Sequence, residues 1–156
     1  MKIANPILAH HPDKYMYEPQ PYILLIDDDE EDLEMFATAL KDKGIKVQMF
    51  ASPIKALHYL SLMSGNMDLP SLVIMDYNMP KRNGYEMLMS IKGNSDTKGI
   101  PVVIYSTSIS DFLRKQLSEA GALNCYDKPW NGRELDRHFE TFKELFFQLV
   151  TNKQIA

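Results

Sequence analysis

Five short strand-forming runs alternate with five helical patterns, and this alternation restricts the fold more than any other feature of the sequence. The runs cover residues 22–26, 47–50, 72–75, 101–105 and 124–127. Continuous apolar runs such as 72–75 are typical of strands buried on both faces of a parallel sheet. The alternation predicts a flavodoxin-like, doubly wound α/β fold, with five parallel strands in the order 2-1-3-4-5. Five units are too few for an eight-stranded barrel.

Local signals place the helices between these runs. Apolar residues recur at helical spacing between 33 and 40, which predicts one buried helix face. Ser52 followed by Pro53 is typical of a helix start. We predict that Asn131 caps the last helix, whose apolar positions run from Leu135 to Leu149.

The chain divides into one domain and two short flanks. Residues 1–21 contain four prolines and no sustained period, so we predict an irregular N-terminal arm. Residues 22–150 hold the five units and form the predicted domain, and residues 151–156 form a C-terminal tail. No DNA-binding module follows the domain, so we expect a stand-alone protein that acts through other proteins.

Composition disfavours several classes of function. The chain has 156 residues, a net charge of -4 and no basic run, so we predict no nucleic-acid partner. The single Cys125 excludes an internal disulfide and a multi-cysteine metal site. No signal sequence or long apolar run is visible, so we expect a cytoplasmic protein without membrane contact.

Polar residues follow the predicted strands at one edge of the sheet. The first strand is followed by Asp27 and Asp28, the third by Asp76, the fourth by Ser106, and the fifth by Lys128. The carboxyl ends of parallel strands share one edge, and the first strand neighbours the third in this fold. We therefore expect the three carboxylates to converge.

Three carboxylates in one cleft require a compensating charge. At about 4 Å and an effective dielectric near 20, each like-charge pair costs roughly 4 kcal/mol, so a proton or a cation should be present. Oxygen ligands without His or Cys favour Mg²⁺. With Lys128 and the Ser106 hydroxyl nearby, the set suits phosphoryl transfer, with Asp76 as the nucleophile.

Each residue also has a simpler interpretation. Acidic residues after a strand often only cap the next helix or occupy its first turn, which is how we interpret Asp29 and Asp32. Asp27 and Asp28 taken alone are explained equally well in this way, and Asp76 alone fits an ordinary loop aspartate. Only their joint position at one sheet edge favours the phosphoryl-transfer site.

The motifs resemble the receiver domain of two-component response regulators. The resemblance covers residues 22–147 and rests on Ile-Asp-Asp-Asp after the first strand, Met-Asp-Tyr-Asn-Met-Pro after the third, Tyr-Ser-Thr after the fourth, and Lys128-Pro129. It implies that Asp76 accepts a phosphoryl group from a phosphohistidine on a sensor histidine kinase or histidine phosphotransfer protein. It also implies autodephosphorylation, no turnover of an external substrate, and phosphorylation-dependent binding to a downstream protein.

The resemblance also assigns roles around Asp76. Asp27, Asp28 and Asp76 would hold Mg²⁺ together with the backbone carbonyl of Asn78. Ser106 and Lys128 would contact the phosphoryl oxygens. The peptide bond between Lys128 and Pro129 is expected to be cis.

Two positions depart from the family pattern. Cys125 stands where the family usually has an aromatic residue that moves together with the Ser or Thr hydroxyl. We interpret Cys125 as a packed residue, not a redox sensor, because buried cysteines are inert. We hypothesise that Tyr105 takes over part of the aromatic role. Trp130 replaces a more usual Phe.

Two questions about output stay open. The long apolar last helix provides either extra core contact or a partner face, including a homodimer through helix 4, strand 5 and helix 5. The alternative function is a degenerate receiver that docks partners independently of phosphorylation. A Mg²⁺ phosphohydrolase is disfavoured because Asn78 stands where such enzymes carry a second Asp. A flavin site is disfavoured because the first loop is acidic.

Overall fold

The computed structural model describes residues 19–65 and 68–156. The elements in chain order are β1 (Tyr22–Ile26), α1 (Glu30–Lys41), β2 (Lys46–Phe50), α2 (Pro53–Met63), β3 (Leu72–Met75), α3 (Gly84–Gly93), β4 (Val102–Ser106), α4 (Asp111–Glu119), β5 (Asn124–Asp127) and α5 (Gly132–Ile155). The predicted alternation is confirmed, and the strand boundaries differ from the predicted ones by no more than one residue.

The five strands form one parallel sheet in the order β2-β1-β3-β4-β5, as predicted. β1, β3 and β4 are buried along their whole length because helices cover both faces, which explains their continuous apolar runs. The register pairs Ile26 with Met75. The residues that follow this pair, Asp27 and Asp76, therefore leave the sheet side by side.

Each face of the sheet has its own hydrophobic core. On one face α1 and α5 pack together, with Leu40 and Phe142 fully buried. On the other face α2, α3 and α4 enclose a second core that includes Leu117. Successive residues of a strand point to opposite faces, so Ile104 belongs to the second core and Tyr105 to the first.

Side chains cap the N-terminus of every helix in the described part of the chain. In each case a side-chain oxygen accepts a hydrogen bond from a backbone N–H in the first turn; the capping residues are Asp29, Ser52, Asn83, Ser110 and Asn131. The predicted caps at Ser52 and Asn131 are confirmed. These caps fix where each helix begins after the loop at the end of the preceding strand. Of the five described helices, four follow a loop that contributes to the candidate site or its rim.

The flanks differ in how much the structure describes. α5 has 24 residues, against 12 for α1, and continues to Ile155, so most of the predicted tail is helical. Its inner side is buried, whereas Phe147 and Ile155 are exposed. Of the predicted arm only residues 19–21 are described, and the rest lies outside the described residues. Among the described helices, none combines the length and the apolar character that a membrane span requires.

Candidate functional site

Asp76 lies at the end of β3 and is held by its own loop. Its backbone N–H donates to the Ile26 carbonyl at 2.9 Å, which continues the sheet by one residue. Its Oδ1 accepts a hydrogen bond from the Tyr77 N–H at 2.8 Å. Gly84 packs tightly beneath this loop, because a Cβ atom there would lie 2.8 Å from the Tyr77 Cα. The residue is 9% exposed, and its side chain opens at the carboxyl edge of the sheet.

The structure brings the three predicted carboxylates together. Asp27, Asp28 and Asp76 each offer one oxygen, and these atoms all lie within 4.8 Å of one another. The parallel pairing of β1 with β3 produces this convergence, since both strands end at the same level. Asp27 and Asp76 are largely buried, whereas Asp28 is exposed, so the group is open to solvent on one side.

Lys128 contacts this group through Asp27. Its Nζ lies 2.6 Å from Asp27 Oδ2 and 3.0 Å from Asp32 Oδ2. The Lys128 N–H donates to the Ser106 carbonyl at 2.7 Å, which keeps the start of the β5–α5 loop against β4. Its ammonium also lies 6.0 Å from the centre of the Tyr105 ring. Lys128 is therefore fixed beside the acids by both backbone and side-chain contacts.

The pairing of Lys128 with Asp27 changes the protonation of both groups. Burial alone would lower the pKa of Lys128, but its hydrogen bonds to Asp27 and Asp32, together with the negative charges around it, outweigh burial and hold that pKa above its usual value. Burial raises the pKa of Asp27, and the Lys128 ammonium opposes the rise without cancelling it. The ammonium stays charged at neutral pH and supplies part of the positive charge that these crowded carboxylates require.

Asp32 is the site residue that the sequence interpretation missed. It occupies the first turn of α1, as predicted, but its carboxylate also pairs with Lys128. The available signal was its position: α1 begins at the carboxyl edge of β1, so an acid in its first turn points towards the strand ends. Without the fold, that signal cannot be distinguished from an ordinary first-turn charge.

Ser106 and Asn78 contact each other through their side chains. Ser106 is completely buried, and its Oγ accepts a hydrogen bond from Asn78 Nδ2 at 3.3 Å. The amide of Asn78 therefore contacts the hydroxyl that the resemblance assigns to phosphoryl binding. The role of the Asn78 carbonyl as a metal ligand stays a prediction.

Asp127 joins the loops on either side of Lys128. Its Oδ1 accepts a hydrogen bond from the Ile109 N–H at 3.0 Å, and its Oδ2 pairs with Arg114 at 2.9 Å. These contacts fix the β4–α4 loop against β5. The prediction of a cis bond between Lys128 and Pro129 is wrong, because the described residues contain no cis peptide bond.

Tyr105 and Cys125 lie on opposite faces of the sheet. The register pairs Ile104 with Cys125 and Tyr105 with Tyr126, which places Cys125 in the core under α4. Burial raises the pKa of the Cys125 thiol, as expected for a packed residue. Tyr105 lies in the core under α1 and α5, with its hydroxyl 3.2 Å from His138 Nδ1. It cannot fill the space beside Cys125, and its part in any output stays a hypothesis.

A small cavity adjoins the acidic group on the α1 and α5 side. Its volume is about 180 Å³, and its lining combines Asp27, Asp76 and Lys128 with apolar residues that include Phe36 and Trp130. Trp130 lies at the rim and is 94% exposed. The carboxylates thus face a partly apolar recess that opens to the surface.

The family model described as the response regulator receiver domain matches residues 23–140. The chain belongs to this family. The match begins at the second residue of β1 and covers the other four strands and the first part of α5, including every candidate site residue. Receiver domains act in two-component signalling, and phosphorylation and Mg²⁺ are typical of them.

Individual relatives agree with this assignment over most of their length. The two-component response regulator ORR3 of Oryza sativa is 31% identical over 124 residues, which are 80% of this chain and 92% of that protein. The phosphorylated cyanobacterial phytochrome response regulator RcpA has a similar structure, with a TM-score of 0.74 and 26% identity over 82% of this chain and 94% of its own. The Mn²⁺-bound form of response regulator Rcp1 has a TM-score of 0.70 and 26% identity, covering 79% and 91%.

Proposed function

We propose that this receiver domain accepts a phosphoryl group on Asp76 from a phosphohistidine of a sensor histidine kinase or histidine phosphotransfer protein. The observation that carries the proposal is the convergence of three carboxylate oxygens at one sheet edge, with Lys128 beside them. The proposed place of the reaction is the cytoplasm. The phosphorylated domain then signals by binding a downstream protein.

The donor set fits a divalent cation. The proposed ligands are all oxygen atoms, and the negative charge of the three carboxylates exceeds what one ammonium neutralises, so a hard ion such as Mg²⁺ suits the site. Asp27, Asp28, Asp76 and the Asn78 carbonyl would hold this ion. When bound, the ion would neutralise charge on the transferring phosphoryl group and its oxygens.

The chain's own residues perform the remaining steps. A carboxylate oxygen of Asp76 attacks the phosphorus and forms an acyl phosphate, while the P–N bond to the donor imidazole breaks and its electron pair stays on the ring nitrogen. Lys128 and Ser106 donate hydrogen bonds to phosphoryl oxygens as charge develops on them. Attack of water on the phosphorus reverses the modification and releases inorganic phosphate, which regenerates the Asp76 carboxylate.

Phosphorylation adds about −1.5 to −2 charge next to Ser106 and Lys128. Both residues are tied to the surface formed by α4, β5 and α5. Ser106 is the last residue of β4, directly before the β4–α4 loop, and Lys128 follows Asp127, which binds Arg114 of α4. We propose this surface as the output face for a downstream partner or a second copy. The exposed Phe112 on α4 supplies an apolar contact there.

The test is incubation with acetyl phosphate and Mg²⁺, followed by intact mass measurement. We expect the wild type to gain the mass of one phosphoryl group and Asp76→Asn to gain none. Asp96→Asn is the matched control, since it changes the same chemical group in the exposed α3–β4 connection at the opposite edge of the sheet. Absence of an Asp76-dependent adduct would favour the alternative of a docking module that acts without phosphorylation.

A further inference from the structure

Lys128 has two carboxylate partners, and their surroundings differ. The Asp27 side chain is 13% exposed and belongs to the converging carboxylates. The Asp32 side chain is 41% exposed, lies in the first turn of α1, and is not a member of that group. The Lys128 ammonium therefore bridges Asp27, which is a proposed ligand of the cation, and Asp32, which is not.

Cation binding changes what Asp27 can offer to Lys128. Asp27 Oδ1 accepts a hydrogen bond from the Asp29 N–H at 3.0 Å, and Oδ2 accepts the bond from Lys128. A divalent cation on Asp27 competes for these oxygens and repels the ammonium. The proposed phosphoryl transfer nevertheless requires Lys128 to stay within reach of Asp76.

We propose that Asp32 is a positioning residue for Lys128, which it retains beside the site when the cation takes over Asp27. This inference rests on the proposed cation site. With Asp32 present, cation binding breaks one of the two ion pairs of Lys128 and leaves the other. Without it, cation binding must break the remaining ion pair with Asp27, so the ammonium competes more strongly and the cation binds more weakly.

The experiment measures Mn²⁺ affinity from the paramagnetic resonance signal of free Mn²⁺, a readout that needs no phosphoryl transfer. Asp32→Asn removes the proposed contact. Glu31→Gln is the matched control, because it removes the same charge from the preceding, exposed residue in the same turn of α1. We expect Asp32→Asn to weaken Mn²⁺ binding about three- to fivefold more than Glu31→Gln, as suits a half-exposed ion pair. Asp32→Glu should restore most of the affinity.

A double-mutant cycle tests whether Asp32 acts through Lys128. In a Lys128→Met background, Asp32→Asn should weaken Mn²⁺ binding no more than Glu31→Gln does. Equal effects of both substitutions in the wild-type background would overturn the inference, and so would an undiminished Asp32→Asn effect when Lys128 is replaced. Asp32→Ser is a second neutral variant, and circular dichroism verifies that each variant is folded.

The same titration separates this inference from the proposed function. If the wild type binds Mn²⁺ no better than Asp76→Asn, the cation site is refuted and both proposals are overturned. If the wild type binds Mn²⁺ well, Asp76→Asn binds it poorly and the Asp32 cycle shows no coupling, only the positioning role is overturned. Binding that depends on Asp76 together with coupling between Asp32 and Lys128 supports both.

Discussion

The close approach of Gly84 to the Asp76 loop predicts that Gly84→Ala is destabilising. A Cβ atom at this position would lie 2.8 Å from the Tyr77 Cα and 3.0 Å from the Asp76 carbonyl oxygen. Both are backbone atoms, so the loop itself must move. Overpacking of this kind costs about 1–3 kcal/mol. The Gly84 N–H also donates to the Tyr77 carbonyl at 2.8 Å, and this bond would be strained as well.

Gly132 offers a closely matched control. Gly84 and Gly132 both begin a helix directly after a capping asparagine, Asn83 or Asn131, whose side chain accepts a hydrogen bond from the third helical N–H. A Cβ atom at Gly132 would meet nothing within 4 Å among the described residues. Gly→Ala at a compatible position stabilises by about 0.4–1 kcal/mol through the unfolded chain, and this contribution is common to both variants.

The difference between the two variants therefore isolates the clash. We expect Gly84→Ala to be less stable than Gly132→Ala by about 1–3 kcal/mol. With a urea m-value near 2 kcal/mol per M, the unfolding midpoints should differ by about 0.5–1.5 M, with unchanged slopes. The assay is urea unfolding followed by circular dichroism. Equal midpoints would refute the reasoning, because they would mean that the loop accommodates a methyl group without cost.

Two further predictions concern protonation. Burial raises the pKa of Cys125, and the thiolate is the reactive form of a cysteine. The reaction of Cys125 with a disulfide reagent near pH 8 should therefore be on the order of tenfold slower in the folded protein than in urea. Equal rates would contradict the buried position of Cys125. The pKa of Tyr105 is raised by burial. Burial would lower the pKa of Lys128, but its acidic neighbours together outweigh burial and raise it. The folded state thus keeps both protons at a pH where the unfolded chain, with values near 10.0 and 10.5, has lost them. The free energy of unfolding should therefore decrease as the pH rises above about 10. In Tyr105→Phe and in Lys128→Met the urea midpoint should decrease less steeply with pH than in the wild type. An equally steep decrease in both variants would contradict the prediction.

Local patterns in the sequence were sufficient to predict most of the fold. The apolar runs of β1, β3 and β4 and the spacing of Leu33 and Leu40 predicted the elements, because period and burial are linked within a few residues. The parallel order followed from the alternation of strands and helices. The sheet edge that gathers Asp27, Asp28 and Asp76 was predictable for the same reason, since it depends only on which strand each acid follows.

Side-chain partners across long sequence separations were decided by the tertiary structure alone. The contact between Lys128 and Asp32 spans 96 positions, and no local period encodes it. It depends on where α1 begins relative to the β5–α5 loop and on how far both side chains reach. The separation of Tyr105 from Cys125 likewise follows from the register of β4 with β5, which the sequence does not display.

The sequence by itself therefore determined the doubly wound sheet and the set of acids that meet at its edge, because strand order and strand ends follow from local pattern. Only the tertiary structure decided that Lys128 forms ion pairs with both Asp27 and Asp32. It also decided that Tyr105 contacts His138 and lies on the face of the sheet opposite α4. Those contacts are set by packing and side-chain reach at distances of about 3 Å, a scale that hydrophobic periodicity does not resolve.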